Sequence, residues 1–285
     1  MTAMKDSLLC GLIGAGIQRS LAPALQQEEA RHHGIRLHYQ LIDLDAAGVG
    51  GEALPTLVAA ARVMGFAGLN ITYPCKQTVI RLLDGLSDEA RAMGAVNAVV
   101  RKDGRLIGHN TDGPGWAWGF RRALPDAKLG RVVLLGAGGA GSAVAHAALG
   151  LGVEELVIVD QEPARADELA RRLNQAGGKN RSSASRDIEA ALDGADGFIH
   201  ATPVGMEQRP GMPIPERLLR RELWVAEIVY VPLETALLKA ARRAGCATMD
   251  GGHMNVGQAC LNFELFTGRK ADVARMDAHF RRIVS

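Results

Sequence analysis

A glycine-rich turn between an apolar run and a helical pattern limits the possible folds of this chain more than any other feature. Residues 132–135 are Val-Val-Leu-Leu and lead directly into Gly136-Ala137-Gly138-Gly139-Ala140-Gly141, after which a helix is expected. In such a G-x-G-x-x-G turn the first glycine permits the tight bend, the second admits a pyrophosphate, and the third allows close packing of helix on strand. The helix N-terminus adds N–H donors and the positive end of its dipole. The sequence therefore predicts that the residues of this turn bind a dinucleotide.

The carboxylate of Asp160 indicates which dinucleotide is preferred. It ends the next predicted strand, residues 156–160, where it can accept hydrogen bonds from the ribose hydroxyls of adenosine. A carboxylate there also repels the 2′-phosphate of NADP. The nearest basic residue downstream is Arg165. NAD is therefore the predicted cofactor, and NADP is the weaker alternative.

Apolar runs and helical patterns alternate along the chain, which predicts an α/β fold with mostly parallel sheets. The length of 285 residues favours two domains, joined by a helix over residues 112–124. In the first domain the predicted strands are residues 8–14, 37–44 and 66–72, the helices 23–33, 52–64 and 76–83, and the hairpin 98–101 with 105–109. In the second, the predicted strands are residues 131–135, 156–160, 197–201, 223–229 and 247–250, before C-terminal helices over 256–266 and 271–283.

Composition excludes several other classes of protein. Thirty-three basic and 31 acidic residues give a net charge of +2, and only 4% of residues are aromatic, which argues against a nucleic-acid binder. Four cysteines without a C-x-x-C pair indicate reduced thiols in the cytoplasm. Glycines interrupt the apolar stretches 8–17 and 132–153, so neither a signal peptide nor a membrane helix is expected. No metal site is expected from the spacing of His109, His200 and His253.

Four further segments carry polar side chains suited to a polyhydroxylated carboxylate. They are residues 14–23, 70–76, 94–98 and 108–113. Most of them follow predicted strands or turns, where ligands of open α/β sheets bind. Taken singly, Asn70, Thr72, Asn97 and Asp112 could each be explained as turn, loop or capping residues. Taken together, they indicate a shared binding site.

These segments resemble the motifs of the shikimate/quinate dehydrogenases, and the resemblance extends over nearly the whole chain. The motifs are N-x-T-x-P-x-K at residues 70–76, G-A-V-N at 94–97, N-T-D-G at 110–113 and G-A-G-G-A-G at 136–141. Residues 201–206, 230–235, 257–259 and 266–268 resemble later motifs of the same family. The resemblance implies a substrate-binding domain (1–112), a Rossmann NAD-binding domain (113–251) and C-terminal helices (252–285) that return to the substrate domain, with catalysis in the cleft between the domains.

The resemblance also implies roles for individual residues. Lys76 and Asp112 match the catalytic lysine and aspartate of the family. The expected substrate contacts are Ser20, Asn70, Thr72, Asn97, Tyr230 and Gln258. Beyond the glycine turn, the expected cofactor contacts are Asp160, Arg165, Thr202, Pro203, Val229 and Met254, most like the NAD-preferring quinate/shikimate branch. The partner is a small cyclic hydroxy acid, and the protein is expected to be a monomer or a homodimer.

The chemistry of alcohol oxidation supports these roles, because a proton acceptor must take the hydroxyl proton while hydride leaves for the nicotinamide. Lys76 is the candidate acceptor, and Asp112 can orient it and bind the same hydroxyl. One departure concerns the substrate carboxylate: the family usually has two hydroxyl residues where this chain has Ser20 and Ala22. Losing a hydrogen bond to a charged group costs about 1.5–3 kcal/mol.

Three functions stay open, and the departure at Ala22 concerns the choice between the first two. The first is a shikimate dehydrogenase, which converts shikimate and 3-dehydroshikimate reversibly. The second is a quinate dehydrogenase, or an enzyme for an amino or otherwise modified analogue. The third is a non-catalytic NAD-binding regulator, against which the intact pair of Lys76 and Asp112 argues.

Overall fold

The computed structural model describes residues 7–178 and 180–284, which form two compact units. The first unit takes in the chain up to Thr111 and Gln258–Arg282. The second takes in Asp112–Gly257 and the chain from Ile283 on. The α/β class predicted from the sequence is confirmed, since each unit contains one six-stranded sheet with helices.

The strands and α-helices of the first unit are β1 Ser7–Gly14, α1 Ala22–His32, β2 Arg36–Asp43, α2 Leu54–Met64, β3 Gly68–Ile71, β4 Gly85–Leu86, α3 Asp88–Met93, β5 Ala98–Lys102 and β6 Arg105–His109. Its sheet is mixed and runs in the order β2-β1-β3-β5-β6-β4. The parallel strands β1, β2 and β3 lie side by side, whereas β5 pairs antiparallel with both β3 and β6. Because β1 and β3 are parallel neighbours, the segments after Gly14 and Ile71 emerge at the same edge of the sheet.

The strands and α-helices of the second unit are α4 Asp112–Ala123, β7 Arg131–Leu135, α5 Gly139–Leu151, β8 Glu155–Val159, α6 Pro163–Gly177, β9 Ser182–Ser185, α7 Ile188–Leu192, β10 Gly197–His200, β11 Trp224–Glu227, α8 Ala236–Arg243 and β12 Thr248–Met249. Helix α9, Gly251–Thr267, begins in this unit and continues into the first, and α10 is Val273–Val284. The sheet of the second unit is entirely parallel and runs in the order β12-β11-β10-β7-β8-β9. Strand order reverses between β7 and β10, and ligands of doubly wound sheets bind at such a switch point.

Both faces of this second sheet are covered, which explains why its central strands β7 and β8 are almost continuous apolar runs. Along β7, Val132 and Leu134 pack in one buried cluster and Val133 packs in another. Side chains of a strand alternate between the faces, so a strand with helices on both sides is apolar at every position.

Two predicted elements differ from the structure. The helix predicted over residues 76–83 is a short 3-10 helix, Thr78–Leu82, followed by the unpredicted strand β4. Thr78, Val79 and Ile80 are β-branched in succession, and such side chains lose χ1 freedom in an α-helix. The helix predicted from residue 256 begins earlier, at Gly251, where Asp250 Oδ1 accepts a hydrogen bond of 3.0 Å from the N–H of Gly252.

A buried carboxylate joins α1 to the C-terminal part of the first unit. The Glu29 side chain is 1% exposed and accepts hydrogen bonds from Arg275 Nη2 at 2.7 Å, Arg275 Nε at 2.8 Å and the N–H of Asp272 at 2.8 Å. Burial by itself would raise the pKa of Glu29. The hydrogen bonds from Arg275 and Asp272 outweigh burial, so this pKa is lowered.

We expect Glu29→Gln to lower the free energy of unfolding at neutral pH by about 1.5–3 kcal/mol, because charge-assisted hydrogen bonds are lost. The pKa of Glu29 is lower in the folded state, so its stabilisation is present above the unfolded-state pKa. It is lost as the pH falls through the folded-state pKa. Urea unfolding at several pH values should show the difference between variant and wild type shrinking in acid. The matched control is Glu28→Gln. Glu28 forms an i,i+3 ion pair with Arg31 at the surface, so this substitution should change stability little.

Candidate active site

The glycine turn has the shape that a dinucleotide requires. Gly136 has a φ of 109°, and a Cβ there would lie 2.6 Å from the carbonyl oxygen of Ala201. A Cβ on Gly141 would lie 1.9 Å from the carbonyl oxygen of Gly136, so helix and strand are in close contact. A Cβ on Gly138 or Gly139 would have no protein atom within 4 Å. The turn is thus crowded towards the protein and open on its outer side, at the N-terminus of α5, so its residues fit a bound pyrophosphate.

This geometry separates two substitutions in the turn. Gly138→Val should preserve stability, because residue 138 has an ordinary φ of −74° and its added side chain meets open space. The same side chain would fill the open space where a pyrophosphate is expected, so NADH affinity should fall at least about tenfold. Gly141→Ala should instead lower the melting temperature. Thermal unfolding and NADH fluorescence titration measure the two effects, and equal loss of affinity in both variants without loss of stability would contradict this assignment.

Asp160 holds the same turn from the neighbouring strand. Its Oδ2 accepts a hydrogen bond of 2.7 Å from the N–H of Ala137, and its Oδ1 accepts one of 2.8 Å from the N–H of Glu162. A carboxylate has about four acceptor positions, so both oxygens can still accept from ribose hydroxyls. Arg165 Nη2 lies 2.8 Å from Glu162 Oε1, and this ion pair is more than half exposed. The segment after β8 thus carries the carboxylate of Asp160 beside the ion pair of Glu162 and Arg165.

The other expected cofactor residues follow strands β10 and β11. Thr202 lies just after β10, where its Oγ1 is 2.6 Å from His200 Nε2, and Pro203 beside it is exposed. Val229, 7% exposed, follows β11, and its N–H donates to Glu227. Met254 is 5% exposed and belongs to the apolar core of the second unit. Tyr230, an expected substrate contact, also lies in this unit, and burial raises its pKa.

In the first unit, an aspartate that the sequence reasoning missed shapes the loop before Ser20. Asp43 ends β2, and its carboxylate accepts hydrogen bonds from the N–H of Gly16 at 3.0 Å, the N–H of Ile17 at 3.1 Å and Gln18 Nε2 at 2.9 Å. Burial would raise the pKa of Asp43, but these hydrogen bonds lower it. The sequence contains a signal for this role, because Asp43 is the last residue of its strand and Asp160 comes directly after β8.

Ser20 is half-buried at the end of this loop. Its Oγ accepts a hydrogen bond of 3.3 Å from the N–H of Ala22, the first residue of α1. Because this contact uses only a lone pair, the hydroxyl can still donate its proton to a ligand. Ala22 has no hydroxyl that could do the same.

Asn70 and Thr72 lie at the C-terminal end of β3. Asn70 is 8% exposed, its Oδ1 accepts a hydrogen bond of 2.6 Å from the Tyr39 hydroxyl, and its Nδ2 donates to the carbonyl oxygen of Asn97 at 3.1 Å. The N–H of Thr72 donates to the carbonyl oxygen of Ile13 at 3.0 Å, which fixes the segment against β1. The Asn70 amide therefore also joins three strands of the sheet, a structural role that the motif alone did not indicate.

A chain of hydrogen bonds connects the segments that contain Lys76, Asn97 and Thr111. The carbonyl oxygen of Lys76 accepts a hydrogen bond of 2.8 Å from Val96. Asn97 is 3% exposed; its Nδ2 donates to Thr111 Oγ1 at 2.9 Å, and its Oδ1 accepts from the Thr111 N–H at 2.8 Å. Thr111 Oγ1 in turn donates a hydrogen bond of 3.0 Å to Asn262 Oδ1. The sequence analysis did not identify Asn262. These bonds fix the backbone of Lys76 relative to the residue that precedes Asp112.

Asp112 and Gln258 lie where the chain passes from one unit to the other. Asp112 is 4% exposed and is the first residue of α4 and of the second unit. Gln258, half-buried in α9, is the first residue of the returning part of the first unit. Its neighbour Ala259 accepts a hydrogen bond of 2.8 Å from Gln26 Nε2 through its carbonyl oxygen, which anchors α9 to α1.

Two further properties concern only the described residues. No group of three or more His, Cys, Asp or Glu side chains is placed there to bind a metal ion. None of the helices in residues 7–178 and 180–284 has both the length and the apolar character needed to cross a membrane.

Comparison with known proteins shows which family shares these features. The shikimate dehydrogenase substrate binding domain matches residues 12–99, and the C-terminal domain of alanine dehydrogenase/PNT matches residues 113–220. The shikimate dehydrogenase (NADP(+)) of Streptomyces avermitilis is 57% identical over 274 residues, which are 95% of this chain and 94% of that protein. The quinate/shikimate dehydrogenase (NAD(+)) of Corynebacterium efficiens is 46% identical over 278 residues, 96% of this chain and 98% of that protein.

A solved structure shows the same likeness over the whole chain. Quinate dehydrogenase from Corynebacterium glutamicum, determined in complex with NAD, superposes with a TM-score of 0.93 at 44% sequence identity. The match covers 98% of this chain and all of the other.

Proposed function

The chain belongs to the shikimate dehydrogenase family and is an NAD(P)-dependent shikimate/quinate dehydrogenase, and we propose that its main reaction is the reversible oxidation of the shikimate C3 hydroxyl by NAD. The product is 3-dehydroshikimate. The observation that carries the NAD preference is the Asp160 carboxylate, which is hydrogen-bonded to the glycine turn and close to the backbone of Glu162.

In the proposed site, Lys76 as its free amine accepts the hydroxyl proton, and Asp112 orients the amine and the hydroxyl. Ser20, Asn70, Thr72, Asn97, Tyr230 and Gln258 bind the ring hydroxyls and the carboxylate. NAD supplies the acceptor for the hydride that leaves the same carbon. The glycine turn holds its pyrophosphate, Asp160 its ribose, and Arg165, Thr202, Pro203, Val229 and Met254 complete the cofactor site.

Quinate is the second candidate substrate. The NAD-bound structure of quinate dehydrogenase from Corynebacterium glutamicum supports it through a TM-score of 0.93. Ala22 leaves the choice between the two substrates open, because only Ser20 of the two positions can donate a hydroxyl hydrogen bond to a carboxylate. An amino or otherwise modified analogue would fit the same argument.

The experiment is an absorbance assay at 340 nm (the wavelength of reduced nicotinamide) with shikimate and quinate, each with NAD and NADP. We expect the highest kcat/KM for shikimate with NAD. A higher value for quinate would support the second candidate. No reduction of either cofactor in any of the four combinations would favour a non-catalytic NAD-binding regulator and overturn the proposal.

We also propose that the protein works in the cytoplasm as a monomer or a homodimer. All four cysteines are buried and unpaired, as expected for a reducing compartment. Light scattering coupled to size-exclusion chromatography distinguishes the two oligomeric states.

A further inference from the structure

A histidine and a glutamate without any exposed surface lie at the centre of the second unit. His200 ends β10, Glu227 ends β11, and the two are paired across the parallel strands. His200 Nδ1 lies 2.9 Å from Glu227 Oε1, and both side chains are 0% exposed. Glu227 also accepts hydrogen bonds from the N–H groups of Ile228 at 2.9 Å and Val229 at 3.0 Å, and from Thr235 Oγ1 at 3.2 Å.

These contacts fix the tautomer of a neutral His200. A carboxylate oxygen only accepts, so the imidazole proton lies on Nδ1 and is donated to Glu227. Nε2 then carries a lone pair, which accepts the hydroxyl proton of Thr202 over 2.6 Å. The orientation of the Thr202 hydroxyl is therefore set from Glu227, through His200.

This arrangement determines what Thr202 can offer to a ligand. Its proton is directed inward to His200, and one oxygen lone pair accepts the N–H of Val204 at 3.3 Å. The remaining lone pair can only accept a hydrogen bond. Thr202 follows β10, next to the β7–β10 switch point at which doubly wound sheets bind nucleotides.

We propose that His200 is a positioning residue, which presents the Thr202 oxygen as a hydrogen-bond acceptor for a hydroxyl or amide N–H of the nicotinamide riboside. The inference rests on the proposed function, because it takes Thr202 as a cofactor contact. Glu227 makes two contacts that matter here. It orients His200, and it accepts a hydrogen bond from the backbone of Val229, the proposed cofactor contact after β11.

Two substitutions of His200 separate positioning from stability. Asn retains a donor at the level of Nδ1, so His200→Asn keeps the bond to Glu227 but cannot reach Thr202. Gln places an acceptor near the level of Nε2, so His200→Gln keeps the bond to Thr202 but leaves Glu227 without its donor. We expect His200→Asn to keep its melting temperature within a few degrees and to bind NADH about tenfold more weakly. We expect His200→Gln to lose stability and to bind NADH within about twofold of wild type.

A Thr202 series completes the experiment. Thr202→Val should raise the NADH Kd and the NAD KM about tenfold, whereas Thr202→Ser retains the hydroxyl and should change them less than twofold. Adding His200→Asn to Thr202→Val should have no further effect on the NADH Kd, because the histidine acts through the hydroxyl. The KM for shikimate should stay within about twofold of wild type in every variant.

The outcomes separate failure of this inference from failure of the proposed function. Independent, multiplicative effects of His200→Asn and Thr202→Val on the NADH Kd would overturn the positioning role, and so would weak NADH binding by His200→Gln. Nitrogen-15 spectra of histidine-labelled wild-type protein locate the imidazole protons without any substitution, and a proton on Nε2, whether His200 is neutral or cationic, would also overturn it. A wild-type protein that binds NADH but oxidises neither shikimate nor quinate would overturn only the proposed function.

Discussion

Lys76→Ala is expected to lower kcat for shikimate oxidation by about 10²–10⁴-fold, the usual effect of removing a general base. The amine is proposed to take the hydroxyl proton in the transition state, so its loss acts on the chemical step. Cofactor binding should be largely preserved, because Lys76 lies in the first unit and the glycine turn in the second. Steady-state kinetics give kcat and the KM for shikimate, and fluorescence titration gives the NADH Kd.

Lys102→Ala is the matched control, since Lys102 is an exposed lysine at the end of β5 in the same unit. It should leave kcat unchanged. A loss of kcat smaller than about fivefold in Lys76→Ala, together with a higher KM for shikimate, would show that Lys76 only binds the substrate.

The elements that carry their own strong local signals were predictable from the sequence. The strand over residues 131–135 was placed correctly, because an apolar run followed by a glycine turn has few other solutions. The 3-10 helix Thr78–Leu82 was predicted as an α-helix. Apolar periodicity alone does not show that three successive β-branched residues disfavour an α-helix. The change of unit inside α9, after Gly257, also has no local sequence signal, since the helix continues across it.

At the candidate site, the motifs indicate the residues that are proposed to touch the ligand, and these roles stay predictions. The residues that support them have no motif, because they act through contacts that join distant segments. Asp43 organises the Gly16–Ile17 backbone from another strand, and Asn262 reaches Thr111 from α9. The sequence suggests only one role for His200, that of a metal ligand, and its spacing argues against that role. Its pairing with Glu227 depends on strand order, which a single sequence does not give.

Asp160→Asn is expected to move the ratio of kcat/KM values for NAD and NADP towards NADP by at least about one to two orders of magnitude. The lost charge-assisted hydrogen bond to the ribose is worth about 1.5–3 kcal/mol, which lowers NAD efficiency about 10- to 100-fold. NADP gains, because its 2′-phosphate carries nearly two negative charges and no longer faces the Asp160 carboxylate. Kinetics with both cofactors at saturating shikimate measure the ratio.

The ratio is the decisive quantity because Asp160 has two roles. Its Oδ2 holds the glycine turn through the N–H of Ala137, so a looser turn would weaken NAD and NADP alike and leave the ratio unchanged. Only removal of the charge beside the ribose affects the two cofactors in opposite directions. Asp167→Asn, which removes an exposed carboxylate of α6, should leave the ratio unchanged. A wild-type preference for NADP that Asp160→Asn does not alter would show that this carboxylate supports the turn without facing the ribose.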